Sequence, residues 1–221
     1  DILLVGDKQA GKTTLLNLLT SRTKPADDAT PKPTTALEYR YARHTSLDAT
    51  GAAAAANVAN LWELAGGTQL ADLLHVVLTP SRLARCSIAI TLNMGAPGDA
   101  LATLLFWLDA LRRRIDAILA ELRLTDAGAA DAFEARLAAE WVDHADADAV
   151  RPIGLPVVVF AHKWDEFEAS SGESELRKLA TRALRHFCHM SGASLLCTKS
   201  KDRATMGAAC TMLNHYAFGT P

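Results

Sequence analysis

The sequence predicts an α/β fold in which a mostly parallel six-stranded sheet, with one antiparallel edge strand, carries helices on both faces. Three observations predict it. Short aliphatic runs alternate with longer helical patterns along the chain. Two of the runs, at 88–92 and 156–161, are uninterrupted, as expected of central parallel strands. A glycine-containing loop follows the first run and opens a helix, which is how one strand of a parallel sheet leads to the next.

The first elements follow from the spacing of their apolar residues. Residues 2–5 form a short aliphatic strand, and the leucines of 12–20 suit a helix packed on a sheet. The next stretch, 21–35, is polar and contains three prolines, so it is expected to be an irregular loop. Segments 36–44 and 58–64 are then expected to be extended and to pair as a hairpin.

The later elements continue this alternation. Helices are predicted over 101–122 and 173–190, and a last strand and helix over 193–197 and 203–216. Two stretches resemble insertions. The alanine-rich stretch 48–56 is expected only to lengthen the hairpin turn. The acidic stretch 123–150 is expected to form a helical excursion, because Phe133, Leu137 and Trp141 recur on one helical face.

Composition limits the classes of protein to which the chain can belong. With 221 residues, 49% of them hydrophobic, it can form one sizeable core, so a single domain over 1–221 is expected. A net charge of −2 argues against a nucleic-acid surface, and apolar stretches of only strand length argue against membrane insertion. The four cysteines lack a C-x-x-C pair and are expected to be reduced core residues.

The strongest chemical signal is the run 6–13, which fits G-x-x-x-x-G-K-[ST] between a strand and a helix. Glycines in such a loop let backbone N–H groups and the helix N-terminus point at a phosphate. The Lys12 ammonium would neutralise the outer phosphates, and the Thr13 hydroxyl would reach Mg²⁺. The predicted phosphate-binding residues are Gly6, Asp7, Lys8, Gln9, Ala10, Gly11, Lys12, Thr13 and Thr14. A degenerate P-loop that no longer needs nucleotide stays open as an alternative.

A second motif bears on which base such a nucleotide would carry. Guanine-specific P-loop proteins use N-K-x-D after the fifth strand, and this chain has His162, Lys163 and Asp165 in the corresponding places. The carboxylate that reads the base and the lysine stem are kept, whereas an imidazole replaces the amide. Thr198 and Lys199 fall where the loop after the last strand closes on the base, with the Thr198 N–H offered to it. GTP or GDP with Mg²⁺ is therefore the expected ligand.

The segments that would sense the γ-phosphate depart further from the pattern of a molecular switch. Thr34 stands where a switch I threonine would reach Mg²⁺, with Thr35 an alternative by one step. The switch II D-x-x-G becomes a segment from Glu63 to Gly66. The next residue, Gly67, occupies the place of the glutamine that positions water in hydrolysing members, so turnover is expected to be very slow. Gln69 is a weaker candidate for that role, and no catalytic residue is assigned.

Several segments together resemble the light intermediate chains of dynein, specifically those of cytoplasmic dynein 2. Residues 32–41 are similar to the family's K-P-T-x-A-L-E-Y, and 61–68 to its W-E-L-G-G-G-T. Residues 162–167 are similar to S-K-Y-D-x-F, and the segments 192–195 and 216–219 also match. The resemblance runs from the P-loop to the last helix and leaves out only the insertions. A Trp-Glu pair in switch II distinguishes this family from ordinary small GTPases.

The resemblance implies a Ras-like domain that serves as a non-catalytic motor subunit. It would bind and stabilise the tail of the dynein 2 heavy chain, alongside other dynein 2 subunits and intraflagellar transport trains. It would thereby support minus-end-directed retrograde transport on microtubules in cilia or flagella, and would be found in the cytoplasm, the cytoskeleton and the cilium. The alternative is an active small GTPase of the Ras or Rab class, whose loops order around the γ-phosphate and relax on hydrolysis.

Overall fold

The computed structural model describes residues 1–20, 34–47, 53–170 and 174–219, with the backbone alone for 45–47 and 53–56. The described helices and strands follow in chain order: β1 (Ile2–Gly6), α1 (Lys12–Thr20), β2 (Leu37–Leu47), β3 (Ala53–Leu64), α2 (Leu74–Val77), β4 (Ser87–Asn93), α3 (Pro97–Thr125), α4 (Ala127–Trp141), β5 (Val157–His162), α5 (Trp164–Ala169), α6 (Ser174–Met190), β6 (Ala193–Cys197) and α7 (Arg203–Phe218). Two 3₁₀ segments, Gly67–Leu73 and Leu83–Arg85, flank α2.

The six strands form one sheet in the order β2-β3-β1-β4-β5-β6. The edge strand β2 runs antiparallel to β3, and all the other neighbours are parallel. The predicted mostly parallel sheet with one antiparallel edge strand is therefore confirmed. The carboxyl ends of the parallel strands meet at one edge of the sheet, which places the loop after β1, the end of β3 and the end of β5 near one another.

Two apolar clusters separate the sheet from its helices, so helices cover both faces as predicted. On one face, α1 and α7 pack on β1 and β3 through residues such as Leu15, Leu16 and Leu213. On the other face, α3 and α6 pack on β1, β4 and β5, with Trp107 and Leu184 buried between them. The central strands β1, β4 and β5 are buried along almost their whole length, which accounts for their uninterrupted aliphatic sequences.

The hairpin is longer than the sequence predicts. The alanine run assigned to an inserted turn at 48–56 belongs partly to β3, which begins at Ala53 and pairs with β2 from there. Cross-strand hydrogen bonds thus override the weak strand preference of alanine. The rest of that stretch, 48–52, lies outside the described residues, and so does most of the proline-containing loop, 21–33.

The acidic helical excursion is confirmed, although it begins later than predicted. Helix α3 continues to Thr125, and Asp126 then caps α4 by accepting a 3.1 Å hydrogen bond from the Ala129 N–H. Phe133 on α4 is buried against Gly154, where an added Cβ would lie 2.6 Å from the ring. A lightly attached helix would not bury this ring, so α4 is part of the folded body.

Candidate P-loop site

The P-loop adopts the tight path that its glycines predict. Gly6 has φ 129° and Gly11 has φ 85°, both in the region that disfavours a side chain. A Cβ on Gly6 would overlap the backbone of Thr91 on β4, and one on Gly11 would lie 2.5 Å from Cδ2 of His162. Gln9 also has a positive φ, 57°. The loop therefore passes so close to β4 and β5 that only glycine fits at both of these places.

The Lys12 side chain folds back over the loop. Its ammonium donates to the carbonyl oxygens of Asp7, at 2.6 Å, and Gly6, at 3.2 Å. The residue is only 6% exposed. Burial lowers the pKa of the Lys12 ammonium, while the nearby carboxylates of Glu63 and Asp7 oppose that shift. Lys12 thus supplies a positive charge inside the loop, as the motif predicts.

Thr13 links the P-loop to switch II. Its hydroxyl donates a 2.7 Å hydrogen bond to Oε1 of Glu63 at the end of β3. Glu63 is 2% exposed, and its second oxygen, Oε2, has no hydrogen-bond partner among the described residues. A buried carboxylate oxygen of this kind suits a cation, because hard divalent ions prefer oxygen ligands.

Thr34 is held by the first residues of β2. Its hydroxyl donates a 3.0 Å hydrogen bond to Oε2 of Glu38. Arg40 binds the other oxygen of Glu38 at 2.7 Å and also reaches the side chain of Asn17 on α1. The bond to Arg40, with that to Thr34, lowers the pKa of Glu38 despite an opposing effect of partial burial. Thr34 is therefore anchored to β2 and α1 by a network that sequence reasoning did not identify.

Switch II ends at Gly66, and both Gly66 and the next residue, Gly67, lie in the left-handed region. Gly66 has φ 79° and Gly67 has φ 61°, and the 3₁₀ segment begins at Gly67. Gly67 places no side chain in the position of a water-orienting glutamine. The Gln69 side chain accepts a 3.1 Å hydrogen bond from the Lys8 ammonium, so it spans from switch II to the P-loop.

These segments enclose one cavity of about 920 Å³. The P-loop and the first turn of α1 form one wall, and the two switch segments form the others. The described residues that line it are Lys8, Gln9, Ala10, Gly11, Lys12, Thr13, Thr14, Thr34, Thr35, Glu63, Ala65, Gly66, Gln69 and Leu70. The structure thus brings together most of the predicted phosphate and Mg²⁺ residues. Both candidates for the switch I threonine, Thr34 and Thr35, line this cavity.

Asp7 has a role that the motif alone did not reveal. Its carboxylate accepts hydrogen bonds from the Asn93 N–H, at 3.1 Å, and from the Thr103 hydroxyl, at 2.7 Å. The side chain therefore joins the P-loop to β4 and α3 and is committed to the fold.

His162 occupies the centre of the base-recognition motif and is 2% exposed. Its Nδ1 lies 2.6 Å from the hydroxyl of Thr198, which is fully buried. Burial chiefly lowers the pKa of His162, and the charge of Lys163 adds to the effect, so the ring is neutral at pH 7. The imidazole replaces the asparagine amide of the guanine motif and fills the space above Gly11.

The other residues predicted to recognise the base are Lys163, Asp165, Thr198 and Lys199. Lys163 has φ 59° and turns the chain so that Asp165, at the start of α5, is exposed to solvent. The Thr198 N–H, expected to face a base, instead donates to the Ala161 carbonyl at 3.0 Å and extends the pairing of β6 with β5. Of the residues carried over for guanine, Asp165 is exposed and Lys163 is half-buried.

The Lys199 side chain forms an ion pair with Glu168, a residue that the sequence did not identify as part of the site. Its ammonium binds Oε2 of Glu168 at 2.7 Å, and this bond raises the pKa of Lys199. Oε1 of Glu168 accepts from the indole N–H of Trp164 at 3.1 Å. Trp164 and Glu168 are four residues apart, which is one helical turn, and this spacing is the sequence signal that could have predicted their hydrogen bond.

No group of three or more His, Cys, Asp or Glu side chains within the described ranges is arranged to hold a metal ion. Among the helices that the structure describes, none combines the length and apolarity that a bilayer crossing requires.

Comparison with known proteins identifies the family to which the sequence belongs. The sequence model of the dynein light intermediate chain (DLIC) family matches residues 1–152, which include the P-loop and both switch segments. The chain belongs to the dynein light intermediate chain family.

Relatives of this DLIC chain are similar along nearly its whole length. Cytoplasmic dynein 2 light intermediate chain 1 of Homo sapiens is 33% identical over 222 residues, which cover 99% of this chain and 59% of the human protein. The protein of the same name from Danio rerio is 32% identical over 225 residues, covering 99% and 58%. The chain therefore spans somewhat less than three fifths of the length of these relatives.

A solved structure supports the fold independently. The crystal structure of the dynein light intermediate chain's conserved domain superimposes with a TM-score of 0.65 and 19% sequence identity, covering 99% of this chain and 72% of that one. The expectation of a Ras-like domain of the DLIC family, drawn from the switch and P-loop segments, is confirmed by these matches.

Proposed function

We propose that the chain is a non-catalytic subunit of the cytoplasmic dynein 2 motor. It binds and stabilises the tail of the heavy chain and supports retrograde intraflagellar transport toward microtubule minus ends, in association with other dynein 2 subunits and transport trains. It acts in the cytoplasm and cytoskeleton and in the cilium or flagellum. The observation that carries this proposal is the 33% identity to cytoplasmic dynein 2 light intermediate chain 1 over 99% of the chain.

The geometry of switch II supports a non-catalytic role. Gly67 has no side chain to orient water, and Gln69 shares its side-chain carbonyl with Lys8. A P-loop NTPase without a positioned glutamine retains phosphate binding but loses most of its turnover. Bound nucleotide would then stabilise the folded domain rather than drive a cycle.

We propose GTP or GDP with Mg²⁺ as the ligand of this cavity. The P-loop N–H groups and Lys12 would hold the phosphates, and Thr13 with Thr34 would hold the cation. Lys163 and Asp165 would contact the base. When bound, the magnesium ion would neutralise phosphate charge, and the buried Oε2 of Glu63 supports a cation on this side of the cavity.

An experiment on the assembled complex tests the subunit role. The full-length protein is co-expressed with the tail of its dynein heavy chain, and co-purification and tail yield are measured. We expect the tail to be recovered at several-fold higher yield with the subunit than without it. Equal yield of soluble tail without any co-purifying subunit would overturn the proposal.

Nucleotide content is measured on the same protein after denaturation. Lys12→Ala should release any bound guanine nucleotide, whereas Lys201→Ala, at an exposed position, should leave it unchanged. The non-catalytic assignment predicts that both variants still recover the tail.

An active GTPase switch remains a second candidate, because Gln69 lines the same cavity as Lys12 and Thr13. Turnover of GTP by the unaltered protein, compared with Gln69→Ala and Lys12→Ala, separates the two functions. Multiple turnover that both substitutions abolish would favour the switch. Turnover at the background level in all three proteins would favour the structural subunit.

A further inference from the structure

Helices α3 and α6 border an apolar groove. Its volume is about 250 Å³, and its walls are leucine, alanine and methionine side chains with Pro97 and Gly98 at the start of α3. Leu176 and Leu179 of α6 form its outer wall and are 60% and 62% exposed. Exposed apolar side chains that lie side by side, rather than singly, are typical of an interaction site.

The groove has the shape of a seat for a helix. On α6, Leu176, Leu179 and Ala183 follow the i, i+3, i+7 spacing of one helical edge, beside the residues that pack into the core. On α3, the wall is low, since a Cβ on Gly98 would meet no atom within 4 Å. Both walls combine leucines with small residues, which are Gly98 and Ala100 on α3 and Ala180 and Ala183 on α6, so a second helix can approach closely.

Charge indicates the chemistry of the occupant. Helix α6 carries Arg177, Lys178, Arg182 and Arg185 but only one acidic residue, Glu175, in a chain whose net charge is −2. Glu175 is paired with Lys178 at 2.7 Å. Arg182, one turn from Leu179, is exposed. A helix seated in the groove would therefore meet basic side chains along its outer flank, which favours acidic residues there.

We propose that the α3–α6 groove binds an amphipathic helix of the heavy-chain tail, whose apolar edge is flanked by aspartate or glutamate. This rests on the proposed function, because the tail is taken as the protein that supplies the helix. The apolar edge would cover Leu176 and Leu179, and the acidic flank would face Arg182. Such an arrangement uses a few buried apolar anchors for affinity and the surrounding charges for orientation.

The fold permits a test that leaves the core untouched. Gly98→Trp fills the groove from a position where a side chain has open space, and Gly207→Trp is its matched control, because that glycine on α7 is equally unobstructed. The full-length variants are co-expressed with the heavy-chain tail, and the affinity of each complex is measured. We expect Gly98→Trp to weaken binding on the order of tenfold or more, and Gly207→Trp to leave it unchanged.

Further variants separate the apolar and the charged parts of the proposal. Leu176→Asp combined with Leu179→Asp should weaken binding at least as much, while Leu124→Asp, at a site on α3 that is 90% exposed, should not. Arg182→Glu should weaken binding and reduce its dependence on salt. A photo-crosslinking residue at position 179 should attach to an acidic amphipathic segment of the tail. This experiment detects the contact directly and does not depend on a loss of binding.

The outcomes distinguish this proposal from the one on which it rests. If the unaltered protein fails to bind the tail, the proposed function is wrong and the assigned occupant is wrong with it. If the unaltered protein binds and Gly98→Trp and the double leucine variant bind equally well, only the groove assignment is overturned. Binding that ignores salt and Arg182→Glu would overturn the acidic character of the helix.

Discussion

The hydroxyl of Thr13 donates a 2.7 Å hydrogen bond to Oε1 of Glu63, which joins the P-loop directly to the end of β3, where switch II begins. The aspartate usual at this position is one methylene shorter. In this chain the glutamate carboxylate contacts the P-loop threonine directly. The phosphate-binding loop and switch II are therefore coupled by the protein's own side chains.

The first prediction concerns this bond. Thr13→Val keeps the shape of the side chain but removes the donor to Oε1 of Glu63. Because Oε2 already has no partner among the described residues, neither oxygen of this 2% exposed carboxylate would then accept a protein hydrogen bond. We expect the free energy of unfolding to fall by about 1–3 kcal/mol, measured by urea denaturation without added nucleotide. Thr14→Val is the matched control, because Thr14 is the neighbouring threonine and is half-buried like Thr13. Equal stabilities of the two variants would contradict the prediction.

The second prediction concerns the packing of the P-loop on β5. Gly11→Ala forces a side chain into φ 85° and places its Cβ 2.5 Å from the His162 ring. We expect a loss of about 1–3 kcal/mol in the free energy of unfolding. Gly207→Ala, in open space within α7, should be neutral or stabilising by up to about 1 kcal/mol.

A double-mutant cycle assigns the cause of the loss at Gly11. His162→Ala removes the ring that the new Cβ would meet, so part of the penalty should disappear when the two substitutions are combined. The part due to the positive φ should remain. Additive effects of the two substitutions would show that the ring does not limit this position.

The sequence was sufficient for the parts of the fold that depend on local patterns. The aliphatic runs located β1, β4 and β5 within one or two residues, because strands buried on both faces are apolar throughout. The P-loop was located by its motif. Element ends were less certain: α3 extends past its predicted end to Thr125, where Arg123 pairs with Glu134 of the next helix.

The contacts that shape the candidate site could not be read from the sequence. Thr13 and Glu63 are 50 residues apart, and His162 and Thr198 are 36 apart, so their proximity depends on the order of strands in the sheet. Asp7 lies in the predicted phosphate loop, and its side chain binds Thr103, 96 residues away. Local periodicity carries no information about such pairs. The two short helices α2 and α5 were missed because four to six residues are too few to show a helical period.

The third prediction concerns the cysteines. Burial raises the pKa of Cys86 to about 11 and that of Cys188 to about 12, so almost no thiolate forms at either residue at pH 8. Burial also raises the pKa of Cys197, whereas Cys210 is partly exposed on α7. We expect iodoacetamide to label Cys210 first in the native protein, and Cys86 and Cys188 on the order of a hundredfold more slowly. Mass spectrometry of timed samples measures this, with urea-unfolded protein as the control, and equal labelling of all four native thiols would refute it.

The last prediction is a pH dependence of stability that originates at His162. Burial lowers its pKa in the folded state, so at mildly acidic pH the unfolded chain takes up a proton that the folded protein does not. This contribution to stability is complete above the unfolded pKa of about 6.5 and is lost as the pH falls toward the folded value, with a slope of at most about 1.4 kcal/mol per pH unit. His162→Asn removes the titrating group but keeps a polar side chain, so the free energy of unfolding should change less between pH 7 and pH 5 than in the unaltered protein. His186→Asn, at an exposed position on α6, should keep the original slope. Urea denaturation at several pH values measures all three proteins, and an unchanged slope in His162→Asn would place the acid sensitivity elsewhere.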